Sequence, residues 1–203
     1  GPICVTKELE PYLPVPCVVE KDGVLHLETL ENRSSSCGKI KGFHGQFGMH
    51  IRALAYMLSH GKDGLRQVSR DAVLSANYIL ANLKEDFHAP FADRPCMHEC
   101  LLTDKKQKDS GVTTIDIAKT LIEYGMHPMT VYFPLVVAGA MLIEPTETES
   151  KDVLDRFIAV MKMIADTAQG EKIESLQGNP VSAPRRRLDE VGAARNPRLK
   201  WSG

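Results

Sequence analysis

The chain has no uninterrupted apolar run of the roughly 18 residues that a membrane-spanning helix needs, and no charged-then-apolar leader opens it. Aromatic residues are scarce, at 6% with a single tryptophan, so stacking platforms for single-stranded nucleic acid are not available in number. Charge of one sign is lacking too. The formal net charge of −1 leaves no basic excess with which to neutralise a phosphate backbone. Neither nucleic acid nor membrane is therefore expected as a partner. Cysteine is sparse and odd in number: Cys4, Cys17, Cys37, Cys96 and Cys100 match no small disulfide scaffold and read as reduced thiols. The sequence also lacks a P-loop, a dinucleotide glycine pattern, a Ser/His/Asp signature and an HExxH helix.

What is present is an ordinary globular composition, 43% hydrophobic and 25% charged over 203 residues. Residues 1–40 hold short apolar runs (ICV, PCVVE, VLHLETL) broken by prolines, which predict strands with a hairpin at Lys21-Asp22-Gly23. Helical spacing predicts one helix over 45–59, closed by Gly61, and a second over 63–84 with Asp63 as its cap. PCMHECLLT (95–103) reads as a strand and DKKQKDSG (104–111) as a charged surface loop. Thr113 or Thr114 caps a helix ended by Gly125, strands follow near 129–133 and 140–144, and a last helix fills 147–168. Its core face is Val153, Leu154, Phe157, Met161 and Ile164. This strand, helix, strand, strand, helix order predicts an α+β layer, a small sheet with flanking helices. The tail from 177 is proline-rich and basic and reads as an arm.

Four stretches are candidates for chemistry. On a strand, Cys96, His98 and Cys100 share one face, but the spacing suits no common zinc site, so no metal is expected; His98 is kept as a pocket residue. The glycines of HGQFGMHIR (44–52) favour close packing of a helix start over an anion site. In GMHPMT, His127 and Thr130 flank a strand entry fixed by Pro128 and make a pocket wall. Thr146-x-x-Glu149 is a capping-box pattern, which explains Glu147 and Glu149 as first-turn acids; Glu144, at a strand end, is left as a pocket residue. Arg185, Arg186 and Arg187 of the tail form either a solvated patch or a clamp on an acidic partner.

Read together, GPICVTKELEPYLPVP (1–16), GFHGQFGMHIRALAYM (42–57), RPCMHECLLT (94–103), TTIDIAKTLIEYGMHPMTVYFPLVV (113–137), MLIEPTETESKDVLDRFIAVM (141–161) and the tail RRLDEVGAARNPRLKW resemble the pyridoxal-phosphate-dependent glycine decarboxylases, the P-proteins of the glycine cleavage system. In many bacteria and archaea that enzyme is split, and the likeness is to the C-terminal part of its second subunit. The resemblance implies a fold-type-I, aminotransferase-like architecture. Residues 1–43 would be the end of the large cofactor domain, 44–85 bridging helices, 86–176 the small C-terminal domain and 177–203 a basic arm. It implies a cytoplasmic enzyme with pyridoxal 5'-phosphate as cofactor and glycine as substrate. The aminomethyl group left after decarboxylation would pass to lipoylated H-protein, and subunit 1 would complete a hetero-oligomer. H-protein would meet the tail arginines.

The family's Schiff-base lysine lies in an Asn-x-His-Lys stretch before a glycine run, and no lysine of this chain has that context. The chain, which begins Gly1-Pro2, is expected to be a fragment lying just after that lysine and inactive alone. Two other readings are a non-catalytic assembly module and another fold-type-I enzyme, such as an aminotransferase or cysteine desulfurase. The last class would use an arginine for the substrate carboxylate, with Arg52 and Arg94 as the internal candidates.

Overall fold

In the computed structural model, residues 3–201 are described; Gly1, Pro2, Ser202 and Gly203 lie outside them, as does the expectation placed on the opening Gly-Pro. The chain divides into two compact units, 1–61 and 62–203. A helical segment, α1 (Phe47–Leu83), runs through the division and is broken at Gly61, whose φ of 62° and ψ of −175° leave the helix. That break is the one expected between the two sequence-predicted helices.

The first unit is built on a two-stranded antiparallel hairpin, β1 (Cys17–Lys21) and β2 (Val24–Glu28). Asp22 and Gly23 both take positive φ, 53° and 76°, which is what a two-residue turn between right-twisted strands demands. Arg33 ties the hairpin down, pairing with Glu10 and, at 3.3 Å, with Glu28. The expected ICV strand does not form: residues 3–5 have no regular structure. Among the described residues of this unit Val15 is the buried apolar one, while Ile3, Ile40 and Phe43 are each at least 74% exposed.

The second unit holds the sheet and the core. Strands β3 (Cys100–Thr103), β4 (Thr130–Val131) and β5 (Ala140–Ile143) form an antiparallel sheet in the order β3-β5-β4. Helices α2 (Thr114–Glu123) and α3 (Lys151–Ala168) flank it. The second half of α1 contributes Ile79, Leu80 and Leu83 to the same core as Leu102, Leu121, Met141 and Met161. The predicted order of elements is therefore the observed one, and the α+β class holds.

Local chemistry explains the helix ends. Thr113 caps α2 in a reciprocal box: the Asp116 N–H donates to the Thr113 hydroxyl, and the Asp116 carboxylate accepts the Thr113 N–H at 2.8 Å. At the other end Gly125 has φ 71°, its N–H meets the Ile122 carbonyl and that of Met126 meets the Leu121 carbonyl, a left-handed glycine stop. Short helices α4 (Ile173–Gly178) and α5 (Glu190–Arg195) follow.

Four further expectations are corrected. Residues 96–99 are not strand. The Cys96 backbone is held by the Asn77 side chain, its N–H donating at 3.0 Å and its carbonyl accepting at 2.8 Å, so no neighbouring strand has these groups to pair. The second strand is cut to Thr130–Val131 because Tyr132 turns into positive φ, 56°. The last helix begins later: Ser150, not Thr146, accepts from a backbone N–H of its first turn, that of Val153, and Glu147 and Glu149 lie ahead of it. Finally, 104–111 is not a free surface loop. It forms two short 3-10 turns (Asp104–Lys106, Lys108–Ser110), and Asp104 and Gln107 are buried. Lys106 reaches back to the Glu85 carbonyl at 2.6 Å and Gln107 to that of Asp86 at 2.9 Å, covering carbonyls just beyond α1.

Candidate active-site cleft

A cleft of about 500 Å³ opens over β5, between the α2–β4 connection and α3. Each wall has a local cause. The glycine stop at Gly125 turns the chain out of α2, and His127 and Pro128 follow at once. Thr130 then enters the sheet opposite Leu142. Glu144 leaves the end of β5 before Pro145. From the far side α3 presents Val153, Arg156 and Phe157, with Met126, Met129 and Leu142 completing an apolar floor. An apolar cleft with a few convergent polar groups is the ordinary form of a small-molecule site.

Three of the four sequence-predicted pocket residues, His127, Thr130 and Glu144, thus line one cleft. The fourth, His98, stands beside it, with Nε2 3.7 Å from Glu144 Oε1. The expected role of Cys96 and Cys100 as neighbours of His98 on one face does not survive. Cys100 is wholly buried, and burial, with a smaller contribution from Cys96, pushes its thiol up to about 12. The Cys96 thiol is also raised by burial. Cys100 is closed inside the core, and Cys96 is half-buried and packed against it.

The three arginines of the tail separate. Arg185 and Arg186 are exposed. Arg187 folds back: Nη1 lies 2.7 Å from Asp116 Oδ1, Nε donates to the Asn179 carbonyl at 3.0 Å and Nη2 to that of Leu176 at 3.2 Å. The arm is docked along α2 before it reaches them. Glu123 accepts the Val181 and Ser182 N–H groups at 2.7 and 3.0 Å, and the Ser182 bond leads in holding its carboxyl below the usual range.

Arg156 was not among the sequence candidates. Arg94 instead sits over the Phe91 ring at 5.6 Å, and Arg52 lies on the exposed first half of α1, so neither lines the cleft. A signal for Arg156 was available in the spacing. It lies three residues after Val153 and one before Phe157, on the helix edge assigned to the core. A guanidinium there marks that edge as open, and Val153 is indeed 49% exposed.

The fold of this chain finds a counterpart among solved structures. Glycine decarboxylase (P-protein) of the glycine cleavage system, in inhibitor-bound form, matches with a TM-score of 0.62 at 21% identity, over 77% of this chain and 37% of that one. The fold is thereby that of the C-terminal part of a fold-type-I, aminotransferase-like protein. The family model for the C-terminal domain of glycine dehydrogenase matches residues 68–183, and the chain belongs to that family. Among relatives, the probable glycine dehydrogenase (decarboxylating) subunit 2 of Caulobacter vibrioides is 52% identical over 204 residues, 99% of this chain and 39% of that protein. The protein of the same name from Caldanaerobacter subterraneus subsp. tengcongensis is 47% identical over 202 residues, 100% of this chain and 41% of that protein. The chain therefore spans about two fifths of the length of the curated relatives it matches.

Proposed function

We propose that this chain is the closing C-terminal part of a cytoplasmic glycine dehydrogenase (decarboxylating), whose whole length releases CO2 from glycine and passes the aminomethyl group to the lipoyl arm of H-protein. The observation that carries this reading is the meeting of His127, Thr130 and Glu144 in one cleft of a unit that matches the family. In it His127 and Thr130 form the wall that closes over glycine and excludes water, Glu144 and His98 stand at its mouth, and Arg156 supplies a positive charge toward a carboxylate. Residues 1–43 belong to the large domain in this proposal, 44–85 bridge, 86–176 are the small domain and 177–203 the arm. Subunit 1 completes a hetero-oligomer, and Arg185 and Arg186 are the arm's contacts for H-protein.

Pyridoxal 5'-phosphate is the cofactor that the family resemblance implies. The cleft does not fit it as a resident group: no lysine lines it, and Glu144 and Glu149 oppose a phosphate there. This chain's part is to bind, enclose and orient. The test is a chimera in which the chain replaces the corresponding C-terminal part of the Caulobacter vibrioides relative, assayed with subunit 1 and lipoylated H-protein for glycine-dependent exchange of labelled bicarbonate. The chimera is expected to exchange, and His127→Ala and Thr130→Val to slow it by about tenfold to a hundredfold through loss of positioning. A folded, assembled chimera without exchange, or two variants that exchange normally, overturns the reading.

A further inference from the structure

We infer that His98, Glu99 and Glu144 form a site for a divalent first-row cation at the end of the β3–β5 ladder. The inference begins with register. Cys100 pairs with Ile143 at the end of the antiparallel ladder, and just beyond it a carboxylate oxygen of Glu99 and one of Glu144 lie within 4.8 Å of each other. Two carboxylates in that relation repel, and neither is neutralised by a lysine or arginine ion pair among the described residues. The third group of the cluster is an imidazole. The chain bends at 97–98, and the bend brings His98 Nε2 to 3.7 Å from Glu144 Oε1.

One nitrogen and one oxygen from each carboxylate all lie within 4.8 Å of one another. Ligand atoms around a tetrahedral zinc at bond lengths of about 2.0–2.1 Å stand about 3.3 Å apart, so the set needs to contract by an ångström or so. His98 and Glu144 are more than half exposed, at 54% and 55%, which leaves their rotamers free to do this. One imidazole with two carboxylates is a borderline-to-hard donor set that suits Zn²⁺ or Mn²⁺, with the remaining positions left to water. The Cys100 thiol takes no part, because it is wholly buried in the core. A bound cation ties the 95–99 segment to the strand end that carries Glu144 into the cleft.

The site shares His98 and Glu144 with the mouth of the proposed cleft, but its test reads metal and not turnover. The full 203-residue chain, with accessible thiols alkylated, is titrated with Zn²⁺ by calorimetry and with Mn²⁺ by electron paramagnetic resonance. One cation per chain is expected, bound more tightly as Zn²⁺ than as Mn²⁺. His98→Ala and Glu144→Gln should each weaken it by at least about tenfold, while His127→Ala leaves it unchanged. These side chains are exposed, and circular dichroism checks that the variants fold. Absence of stoichiometric binding to the unaltered chain, or binding that persists in both His98→Ala and Glu144→Gln, overturns the site.

Discussion

The Arg187 guanidinium lies 2.7 Å from the carboxylate of Asp116, a residue only 4% exposed that also closes the capping box of α2. One buried carboxylate thus starts a helix and anchors the arm that returns over it. Three further bonds of the arm fall on the same helix: the Asn179 amide donates to the Thr120 hydroxyl, and the Val181 and Ser182 N–H groups donate to the Glu123 carboxylate. Arg187→Met should cost about 1–2 kcal/mol, the lower part of the range for a charge-assisted bond because the arginine is partly solvated. It should also speed amide exchange across 180–187. Arg185→Glu and Arg186→Glu should leave the melting temperature unchanged. If all three behave alike, the arm is not clasped as described.

Gly139 carries a second commitment. It has φ +66°, its carbonyl accepts from Thr114 Oγ1 at 2.9 Å and from the Asp104 N–H at 3.2 Å, and a Cβ placed on it would fall 1.9 Å from Asp104 Oδ1. Asp104 cannot retreat cheaply, because its carboxylate accepts from both the N–H and the hydroxyl of Thr114 at 3.0 Å. Gly139→Ala should therefore destabilise by about 2–4 kcal/mol, from strain at positive φ and a broken buried network together. The midpoint of urea unfolding is the measurement. A loss below about 0.5 kcal/mol, typical of a surface change, would show the contact to be slack.

Much of the second unit was legible because period and punctuation agreed there. Thr113, Gly125 and the apolar spacing between them define α2 without help from tertiary structure. The failures have particular causes. Nothing local announces that Asn77, nineteen residues away, takes both backbone groups of Cys96, so the run looks like strand in sequence alone. Three adjacent arginines look equivalent in sequence, yet one of them has a buried carboxylate within reach. Arg156 stands beside Val153 and Phe157, whose apolar spacing alone points to the core.

The start of α3 turns the same point into a measurement. Thr146-x-x-Glu149 and Ser150 both offer a cap, and the structure chooses Ser150, whose hydroxyl accepts from the Val153 N–H at 3.4 Å. Thr146 instead meets Thr148 at 2.8 Å in the preceding turn. Ser150→Ala should cost about 0.5–1 kcal/mol, while Thr146→Ala should cost a few tenths at most. The reverse order in thermal melts would return the helix start to Thr146.

His88 gives the pH dependence. Its Nδ1 lies 2.9 Å from the Thr103 hydroxyl, and burial, then Lys105 and Lys106, lowers its pKa from the ordinary value of 6.5. A lowered folded-state pKa means that the unfolded chain takes up the proton first as the pH drops. The contribution is complete above pH 6.5 and is lost as the pH falls from there through the lower folded value. In His88→Asn, whose amide can still meet Thr103, that loss should vanish. The stability difference between the two proteins should then shift toward the variant on going from about pH 7.5 to about pH 5.5, where carboxylates common to both cancel. Parallel stability curves would show that His88 takes up its proton equally in the folded and unfolded chain.

The last prediction concerns the isolated chain and pyridoxal phosphate. A lysine imine needs an amine that can lose its proton near neutral pH, which burial or a neighbouring cation provides. Lys151 goes the other way: its bond to Asp155, 2.6 Å, leads in raising its pKa, and Tyr78 adds to the effect. None of the lysines lines the cleft. Mixed with equimolar pyridoxal phosphate, the chain should show only the free aldehyde spectrum, and borohydride reduction should leave no lysine specifically labelled. An imine band of one per chain, mapped after reduction to a single lysine, would place cofactor attachment inside these 203 residues and undo the division of labour proposed above.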